Sequence, residues 1–164
     1  MTYFREAEAS DADMMTEVQN AIHRAGLRES PVDIAFVKQR YLESAHVLAC
    51  TVAVDDDGSV RGFQSLSRAW PGNPYDVAVG WGVIGTHIHP GAHRAGLGRR
   101  LFAETLRAVR TAGLEHIDAT IGEHSAPALA YYASLGFEPY RSLPGAVAHR
   151  FDLTGGDNAD IREG

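Results

Sequence analysis

The sequence predicts an α/β domain, an α+β mixed sheet in which helices cover both faces of one central β-sheet. Along its 164 residues, segments rich in β-branched and aromatic residues alternate with segments whose apolar residues recur at helical spacing. The segment 77–89 is apolar on both faces, which is typical of a strand at the centre of a sheet. The predicted order, β-α-α-β-β-β-α-β-α-β-β, contains directly connected strands and strands separated by helices, which indicates a mixed sheet.

The first half of the chain predicts a strand, two helices and a β-hairpin, over 3–7, 10–25, 31–44, 46–54 and 60–69. The first helix has its apolar residues at helical spacing and ends at Gly26. Ser30 and Pro31 are the residue types that an N-cap and a first helical position favour. The aspartate-rich turn 55–58 joins the two strands of the hairpin.

The second half predicts the central strand, a helix, a strand, a further helix and two closing strands, over 77–89, 97–112, 116–121, 125–135, 137–141 and 146–153. Gly113 ends the first of these helices, and Ser125 suits the N-cap of the second. From Thr154 the composition changes to Gly, Asp and Asn, which predicts a disordered tail over 154–164. We therefore expect a single domain over 1–153.

Composition and charge limit the classes of partner. Fifteen Lys and Arg against twenty-one Asp and Glu give a formal net charge of −6, which argues against nucleic acid as a partner. No apolar run approaches the ~20 residues of a membrane span. No charged and then apolar leader follows Met1. We expect no membrane association and a cytoplasmic location.

A strand end, a glycine-rich turn and a helix start follow one another over 88–102. Gly91, Gly96 and Gly98 leave backbone N–H groups accessible to a ligand. The first N–H groups of a helix that begins at Leu97 lack intrahelical partners, and the helix dipole places about half a positive charge there. Three arginines lie within one or two turns of this helix start: Arg94, Arg99 and Arg100. The stretch therefore predicts a site for a phosphate or pyrophosphate.

This turn resembles the acetyl-coenzyme A signature of the GNAT acetyltransferases, a Val/Ile-x-Pro strand end followed by [Gln/Arg]-x-x-Gly-x-[Gly/Ala]. Ile88 and Pro90 match the strand end, and Gly96 and Gly98 match the two glycines. His93 stands where the family has Gln or Arg. The glycines fit neither the phosphate-binding loop of nucleotide hydrolases nor the dinucleotide-binding pattern.

A second motif, in the segment that begins at Ser125, resembles the family's Asn-x-x-Ala-x-x-x-Tyr-x-x-x-Gly-Phe. Ala128, Tyr132, Gly136 and Phe137 match it, and Ser125 replaces the Asn. The two motifs occur in the family's order, separated by one helix and one strand. Two independent matches in order make the resemblance much more specific than either motif alone.

The resemblance covers roughly residues 3–153 and implies the GNAT acyl-CoA N-acyltransferase fold. It implies an acetyl-CoA-dependent N-acetyltransferase, an acyltransferase that transfers an acetyl group directly to a primary amine of a small-molecule acceptor, with acetyl-CoA as cosubstrate. The residues that it assigns to coenzyme A binding are Ile88, His89, His93, Arg94, Ala95, Gly96, Leu97, Gly98, Arg99, Ser125 and Tyr132. Dimers are frequent in the family, which leaves a homodimer open.

Direct transfer requires a neutral amine, a polarised carbonyl and a proton for the departing thiolate. The resemblance places Tyr132 where many relatives have the general acid. A phenol with a pKa near ~10 is protonated at neutral pH and suits this role. Tyr131 points about 100° away around the helix, so we expect it in the core or at the rim.

The general base is harder to place. Relatives carry Glu or His at positions that correspond to Gly82 and Ile84, and neither of these residues can accept a proton. By strand parity, His87 and His89 lie on the opposite face of that strand unless a bulge intervenes. Glu123, at the end of the next strand, is the nearest carboxylate and is a tentative base acting through a water molecule.

Two further interpretations depend on the histidines and on the substituted positions. His87-x-His89 with His93 nearby has some features of a metal site, but no third ligand follows at tight spacing, so we expect no metal. The absent strand base and the substitutions at His93 and Ser125 keep open a catalytically idle GNAT-fold domain, an acyl-CoA-binding sensor or interaction module.

The acceptor is not identified by the sequence, although a net acidic chain fits a cationic amine. In the family, the first two helices cover the acceptor side of the cleft. Candidate specificity residues there are Gln19, His23, Arg24, Arg28 and Glu29. Aromatic residues that could line a pocket are Trp70, Tyr75 and Trp81.

Overall fold

Seven strands form the centre of the fold in the computed structural model, which describes residues 1–92 and 96–153. They are β1 (Tyr3–Glu6), β2 (Val47–Val54), β3 (Val60–Arg68), β4 (Gly82–Ile88), β5 (His116–Gly122), β6 (Glu138–Leu143) and β7 (Ala146–Asp152). They make one sheet in the order β1-β2-β3-β4-β5-β7-β6, in which every neighbouring pair is antiparallel except β4 and β5. The predicted mixed sheet is confirmed, while the disordered tail predicted over 154–164 lies outside the described residues.

Helices lie on both faces of the sheet, as predicted. They are α1 (Ala12–Arg24), α2 (Ile34–Val37), a π-helical segment that continues it (Lys38–Glu43), α3 (Leu97–Thr111) and α4 (Ala126–Leu135). The first three pack on one face around Val52 and Phe63, and α3 and α4 pack on the other around Leu66 and Phe151. Burial of each such side chain stabilises the fold by about 1.5–3 kcal/mol. Within the described ranges, every helix is too short or too polar to cross a bilayer.

The central strand is shorter than predicted, because a turn replaces its first five residues. Asp76 has a φ of 54° and Gly80 a φ of 92°, and both values lie in the left-handed region that extended strands exclude. The N–H of Gly80 donates to the carbonyl of Ala69 (3.1 Å), which fixes the turn beside the end of β3. The apolar pattern before Gly82 therefore belongs to a loop, in which Val77 is buried while Val79 is 64% exposed.

The second helix also differs from the prediction, since it begins three residues late. Asp33, and not Ser30, occupies the N-cap, and its carboxylate accepts the backbone N–H of Phe36 (2.8 Å). The helix then widens into the π-helical segment, where the extra residue per turn changes which side chains face the sheet. Tyr41 of that segment is buried against the sheet.

An ion pair holds the start of α1 to β1. A short 3₁₀ turn, Ala9–Asp11, precedes α1, and the Asp11 carboxylate accepts two hydrogen bonds from the Arg5 guanidinium (2.8 and 2.9 Å) and one from the Glu8 N–H (2.7 Å). These contacts lower the pKa of Asp11, which is only 2% exposed. Asp11 therefore cross-links β1 to the start of α1.

Asp11→Asn should lower the free energy of unfolding by about 2 kcal/mol at pH 7, because Arg5 would lose a charged, largely buried partner. Since the pKa of Asp11 is depressed in the folded state, its contribution is present above the unfolded pKa near ~3.9 and is lost as the pH falls below it. The difference between the variant and wild type should therefore shrink in acid. Urea denaturation at several pH values measures this difference in the free energy of unfolding. The control is Asp13→Asn, at an exposed aspartate of α1. Equal losses of stability in the two variants would contradict the prediction.

Candidate active site

A gap opens in the sheet between β4 and β5. These two strands are described along their whole length, and they pair only at Gly82 with Ile117 and at Val83 with Asp118. Beyond these pairs, β4 stays bonded to β3 and β5 to β7. The edge of β4 that faces the gap therefore presents strand backbone without a neighbouring strand. An extended ligand chain can add to such an edge.

The N-terminus of α3 follows β4 and the 3₁₀ turn Pro90–Ala92. Gly96 occupies its N-cap with a φ of 71°, is exposed, and would have no atom within 4 Å of an added Cβ. Leu97 is buried against Ala53 and fixes the helix start to the sheet. The first turn contains no acidic residue. The N–H groups of the first turn and the helix dipole make this end favourable for an anion.

The two arginines in the first turn of α3 have different surroundings. Arg100 lies over the ring of Phe4, with 4.2 Å between the guanidinium carbon and the ring centroid. Arg99 is exposed and therefore accessible to an anion. The other predicted members of this turn, His93, Arg94 and Ala95, lie outside the described residues.

Gly98 has a packing role that the sequence did not reveal. Gly98 is buried, and an added Cβ would lie 2.5 Å from Cε1 of Tyr131, which is closer than any real Cβ contact. The Tyr131 hydroxyl also donates to the Gly98 carbonyl (2.7 Å). The second glycine of the motif thus permits α4 to pack against the start of α3.

Polar side chains connect at the gap on the face covered by α3 and α4. The hydroxyls of Tyr132 and Thr86 lie 2.7 Å apart, and the Gln64 amide donates to Thr86 Oγ1 (2.9 Å) and to the Tyr131 hydroxyl (3.0 Å). Thr105 donates to the other end of the Gln64 amide. Gln64 and Thr105 are almost fully buried, so this network satisfies groups that water does not reach.

Burial keeps both tyrosines protonated. It raises the pKa of Tyr131 to about 12 and raises the pKa of Tyr132 as well. Tyr132 is 5% exposed, and its hydroxyl reaches the β4 wall of the gap at Thr86. A protonated phenol at that position can donate a proton to a group that enters the gap.

A cavity of about 270 Å³ lies on the opposite face, between the sheet, the π-helical segment and the loop after β3. Its lining includes two arginines and several rings: Arg28, Arg40, Phe36, Tyr41, Trp70, Tyr75 and His87. None of the described residues that line it carries a carboxylate. Trp70 and Tyr75 line it as predicted for an aromatic pocket, while Trp81 stacks on His116 elsewhere.

His87 points from β4 into this cavity. The unbroken register of β4 on β3 places Gly85 and His87 on the cavity face and Thr86 on the other, in agreement with the predicted strand parity. His87 Nε2 lies 3.3 Å from the Tyr41 hydroxyl, and its ring packs 4.8 Å from that of Phe63. It also lies 3.5 Å from where a Cβ on Gly85 would be. A Cβ at that distance would make an ordinary van der Waals contact with the ring.

The His87 imidazole is neutral at physiological pH. Burial lowers its pKa to about 3, and the positive charges of Arg28 and Arg40 add to this shift. A neutral imidazole has a free lone pair, but a pKa this far below neutrality makes it a weak proton acceptor. Among the described residues, no three His, Cys, Asp or Glu side chains come together as a metal site.

The positions where relatives carry a base are occupied by core packing. A Cβ on Gly82 would lie 3.0 Å from Leu114 Cδ1 and 3.1 Å from Leu66 Cδ1, so a longer side chain does not fit there. Ile84 is buried in the same cluster. Glu123, the tentative base, lies in the turn after β5, about half exposed and 3.4 Å from His124, and it does not line the cavity.

The remaining predicted donor-site residues lie around the gap. Ile88 ends β4 and is partly buried beside Leu97. His89 accepts a hydrogen bond at Nδ1 from the Gly91 N–H (3.1 Å). Ser125 occupies the N-cap of α4 but makes no capping hydrogen bond.

Four residues at the gap and the cavity were not predicted from the sequence: Gln64, Thr86, Arg40 and Tyr41. A glutamine within an apolar hairpin strand was a usable signal for Gln64, because a buried amide requires partners. Thr86 and Tyr41 are residue types common in any strand or helix. Arg40 lies in the π-helical segment and lines the cavity, and a lone arginine in a helical pattern gives no local signal of this.

The comparisons with known proteins agree with this architecture. The sequence model of the Acetyltransferase (GNAT) family matches residues 12–137. No curated protein sequence matches the chain significantly. Among solved structures, a GCN5-related N-acetyltransferase from Kribbella flavida is similar at a TM-score of 0.75 and 21% identity, covering 93% of this chain and 98% of that one.

Two further similar structures contain a bound coenzyme. YncA from Salmonella typhimurium, solved with its cofactor acetyl-CoA, has a TM-score of 0.68 and 22% identity, with 93% and 94% of the two chains covered. PaiA N-acetyltransferase from Thermoplasma acidophilum, in complex with coenzyme A, has a TM-score of 0.71 and 14% identity, with 93% and 99% covered. At these identities, the likeness establishes the fold.

Proposed function

The chain belongs to the GNAT acetyltransferase family, and we propose that it is an acetyl-CoA-dependent N-acetyltransferase that acts directly on the primary amine of a small molecule. One observation carries this proposal. The gap beside β4 has a protonated tyrosine, Tyr132, on one face of the sheet and a cavity with a neutral histidine, His87, on the other. A donor in the gap and an acceptor in the cavity would meet at β4.

The donor would be held mainly by backbone groups. The N–H groups at the start of α3 suit a pyrophosphate. Gly96 has no side chain to block the approach, and the exposed Arg99 adds a positive charge. The unpaired edge of β4 up to Ile88 suits the amide-containing arm of coenzyme A. Ser125, with its hydroxyl not used as a cap, is a further candidate contact. The coenzymes in the two similar structures support acetyl-CoA as the donor.

Tyr132 would act as the general acid for the departing thiolate. Because Gln64 donates to Thr86 Oγ1, the Thr86 hydroxyl hydrogen can point to Tyr132. The phenolic hydrogen of Tyr132 is then available to the gap. Thr86 would serve as the positioning residue that holds this arrangement.

His87 would act as the general base, in place of the tentative Glu123. Its imidazole lies in the cavity, is neutral, and has the Tyr41 hydroxyl at 3.3 Å to pass on or orient a proton. Glu123 lies outside the cavity lining. The cavity, at about 270 Å³, is at the small end of ligand pockets, which favours a small molecule over a protein acceptor.

A catalytically idle acyl-CoA sensor is the second candidate, because the usual base positions at Gly82 and Ile84 are filled by the core. Thiol release from acetyl-CoA across a panel of primary amines separates the two. Turnover with any amine supports the enzyme. Tight binding of acetyl-CoA without turnover on the whole panel supports the sensor.

Gly96→Asp should weaken coenzyme A binding about 10–100-fold, because its carboxylate would stand against the pyrophosphate. Gly96→Asn introduces a side chain of the same shape without the charge and should reduce coenzyme A affinity much less. Gly113→Asp, at a similar φ of 69° in open space at the far end of α3, should bind like wild type. Calorimetry measures the three affinities. Equal losses in Gly96→Asp and Gly96→Asn would show that charge is not the cause.

Tyr132→Phe should lower kcat about 10²-fold or more, since the proton for the thiolate would have to come from water. Coenzyme A affinity should change little, because the ring and its packing remain. Tyr131→Phe makes the same chemical change one residue away and should affect stability more than turnover. Steady-state thiol release gives both rates. An unimpaired Tyr132→Phe, or an equally slow Tyr131→Phe, would remove Tyr132 from the role of acid.

His87→Gln should lower kcat/KM about 10²-fold at pH 7, and the deficit should shrink as the pH approaches the pKa of the amine, where no base is needed. His124→Gln, at a side chain 94% exposed, is the matched control and should behave as wild type. Glu123→Gln, measured in parallel, tests the competing base. If the loss of kcat/KM in His87→Gln does not change with pH, His87 is not the base. If the loss that shrinks with rising pH occurs in Glu123→Gln instead, Glu123 is the base.

A further inference from the structure

The acceptor cavity has a local charge opposite to that of the whole chain. The chain carries a formal net charge of −6, yet the cavity contains two arginines, Arg28 and Arg40, and no described lining residue is acidic. Both arginines are half-buried, which weakens the screening of their charges by water. A cavity with this lining repels a polyamine and attracts an anion.

These two guanidinium groups are not neutralised by carboxylates in the described part of the chain. Arg28 donates from Nε to the Ser30 carbonyl (2.9 Å), a neutral acceptor that leaves its terminal N–H groups for another partner. Arg40 makes no hydrogen bond or ion pair with a described residue. Elsewhere the chain pairs its arginines with acids, as in Arg5–Asp11, Arg61–Asp55 and Arg150–Asp152. Carboxylate partners are thus common in this fold and missing at the cavity.

We propose that the acceptor is a small amine that also carries a carboxylate, of the α-amino acid class, and that Arg28 and Arg40 bind this carboxylate. This inference rests on the proposed function and names the substrate class of the same site. Arginine is the side chain that binds planar carboxylates through paired N–H groups. A ligand with both an amine and a carboxylate can reach His87 with one group and the arginines with the other, because all three residues line one cavity.

The walls of the cavity indicate the rest of the ligand. Phe36, Tyr41, Trp70 and Tyr75 supply aromatic surface, and Ser65 and Ser67 supply hydroxyl groups. The volume of about 270 Å³ is sufficient for a molecule of amino acid size. Aromatic walls favour an apolar side chain on the amino acid.

The experiment uses the full chain, acetyl-CoA and the twenty standard L-α-amino acids, followed by matched compounds of each acceptor that is acetylated. The matched compounds are the decarboxylated amine and the primary amide, which keep the side chain and lose the carboxylate. We expect kcat/KM for the amino acid to exceed that of both by at least about tenfold, the effect of one lost charged hydrogen bond. The difference should lie mostly in KM.

Arg28→Gln and Arg40→Gln should each raise KM for the amino acid. The rates with the decarboxylated amine should not fall, because loss of a positive charge beside His87 makes its imidazole a better proton acceptor, so that the preference falls. The double variant should abolish it. Arg107→Gln, on the exposed side of α3 where Arg107 pairs with Glu104, is the control and should keep the wild-type preference. Coenzyme A affinity, measured by calorimetry in every variant, shows that the fold and donor site are intact.

The outcomes separate this inference from the proposed function. If the panel of primary amines described above is acetylated while the amino acids are rejected, the acetyltransferase proposal stands and the carboxylate proposal is overturned. An equal loss for all acceptors in the arginine variants also overturns it. If no compound is acetylated, calorimetry with the amino acids in the presence of coenzyme A decides. Binding that needs Arg28 and Arg40 supports the ligand class without the reaction. The absence of binding rejects both the ligand class and the proposed function.

Discussion

The separation of β4 from β5 is the constraint on which the rest of this structure depends. Each strand is held by its outer neighbour, β4 by β3 and β5 by β7, while their mutual pairing ends after Val83 and Asp118. An unpaired strand edge inside a sheet costs hydrogen bonds unless something replaces them. Here the edge leads directly to the start of α3, where the helix dipole favours an anion. The gap in the sheet and the helix terminus together have the form that the proposed extended ligand requires.

The polar network around Thr86 ties the gap to the helices beneath it. Gln64 receives a hydrogen bond from Thr105 on α3 and donates to Thr86 on β4 and to Tyr131 on α4. One buried amide therefore holds two helices and the gap-lining strand in a fixed relation. Buried amides of this kind specify geometry, because each lost partner leaves a costly unsatisfied group. Tyr132 obtains its position at the gap from the same network.

Electrostatic interactions connect the charged groups within the cavity. Arg28 and Arg40 contribute to the low pKa of His87, although burial of the imidazole is the larger cause. An anion bound between the arginines would offset their potential and make the imidazole a better proton acceptor when the acceptor is present. The overall net charge of −6 gave the opposite expectation for the ligand, because a charge summed over the surface carries no information about one cavity.

Local patterns in the sequence determined the order of strands and helices, the mixed sheet, the glycine-marked start of α3 and both family motifs, because these depend on periodicity, turn residues and short spacings. They misplaced the start of β4, where apolar loop residues resemble a strand, and the second helix, whose cap is Asp33. Only the tertiary structure decided which side chains meet. Arg28, Arg40 and His87 are far apart along the chain, and strand register together with a π-helical turn brings them to one cavity. Contacts between distant segments depend on packing, which no local pattern encodes.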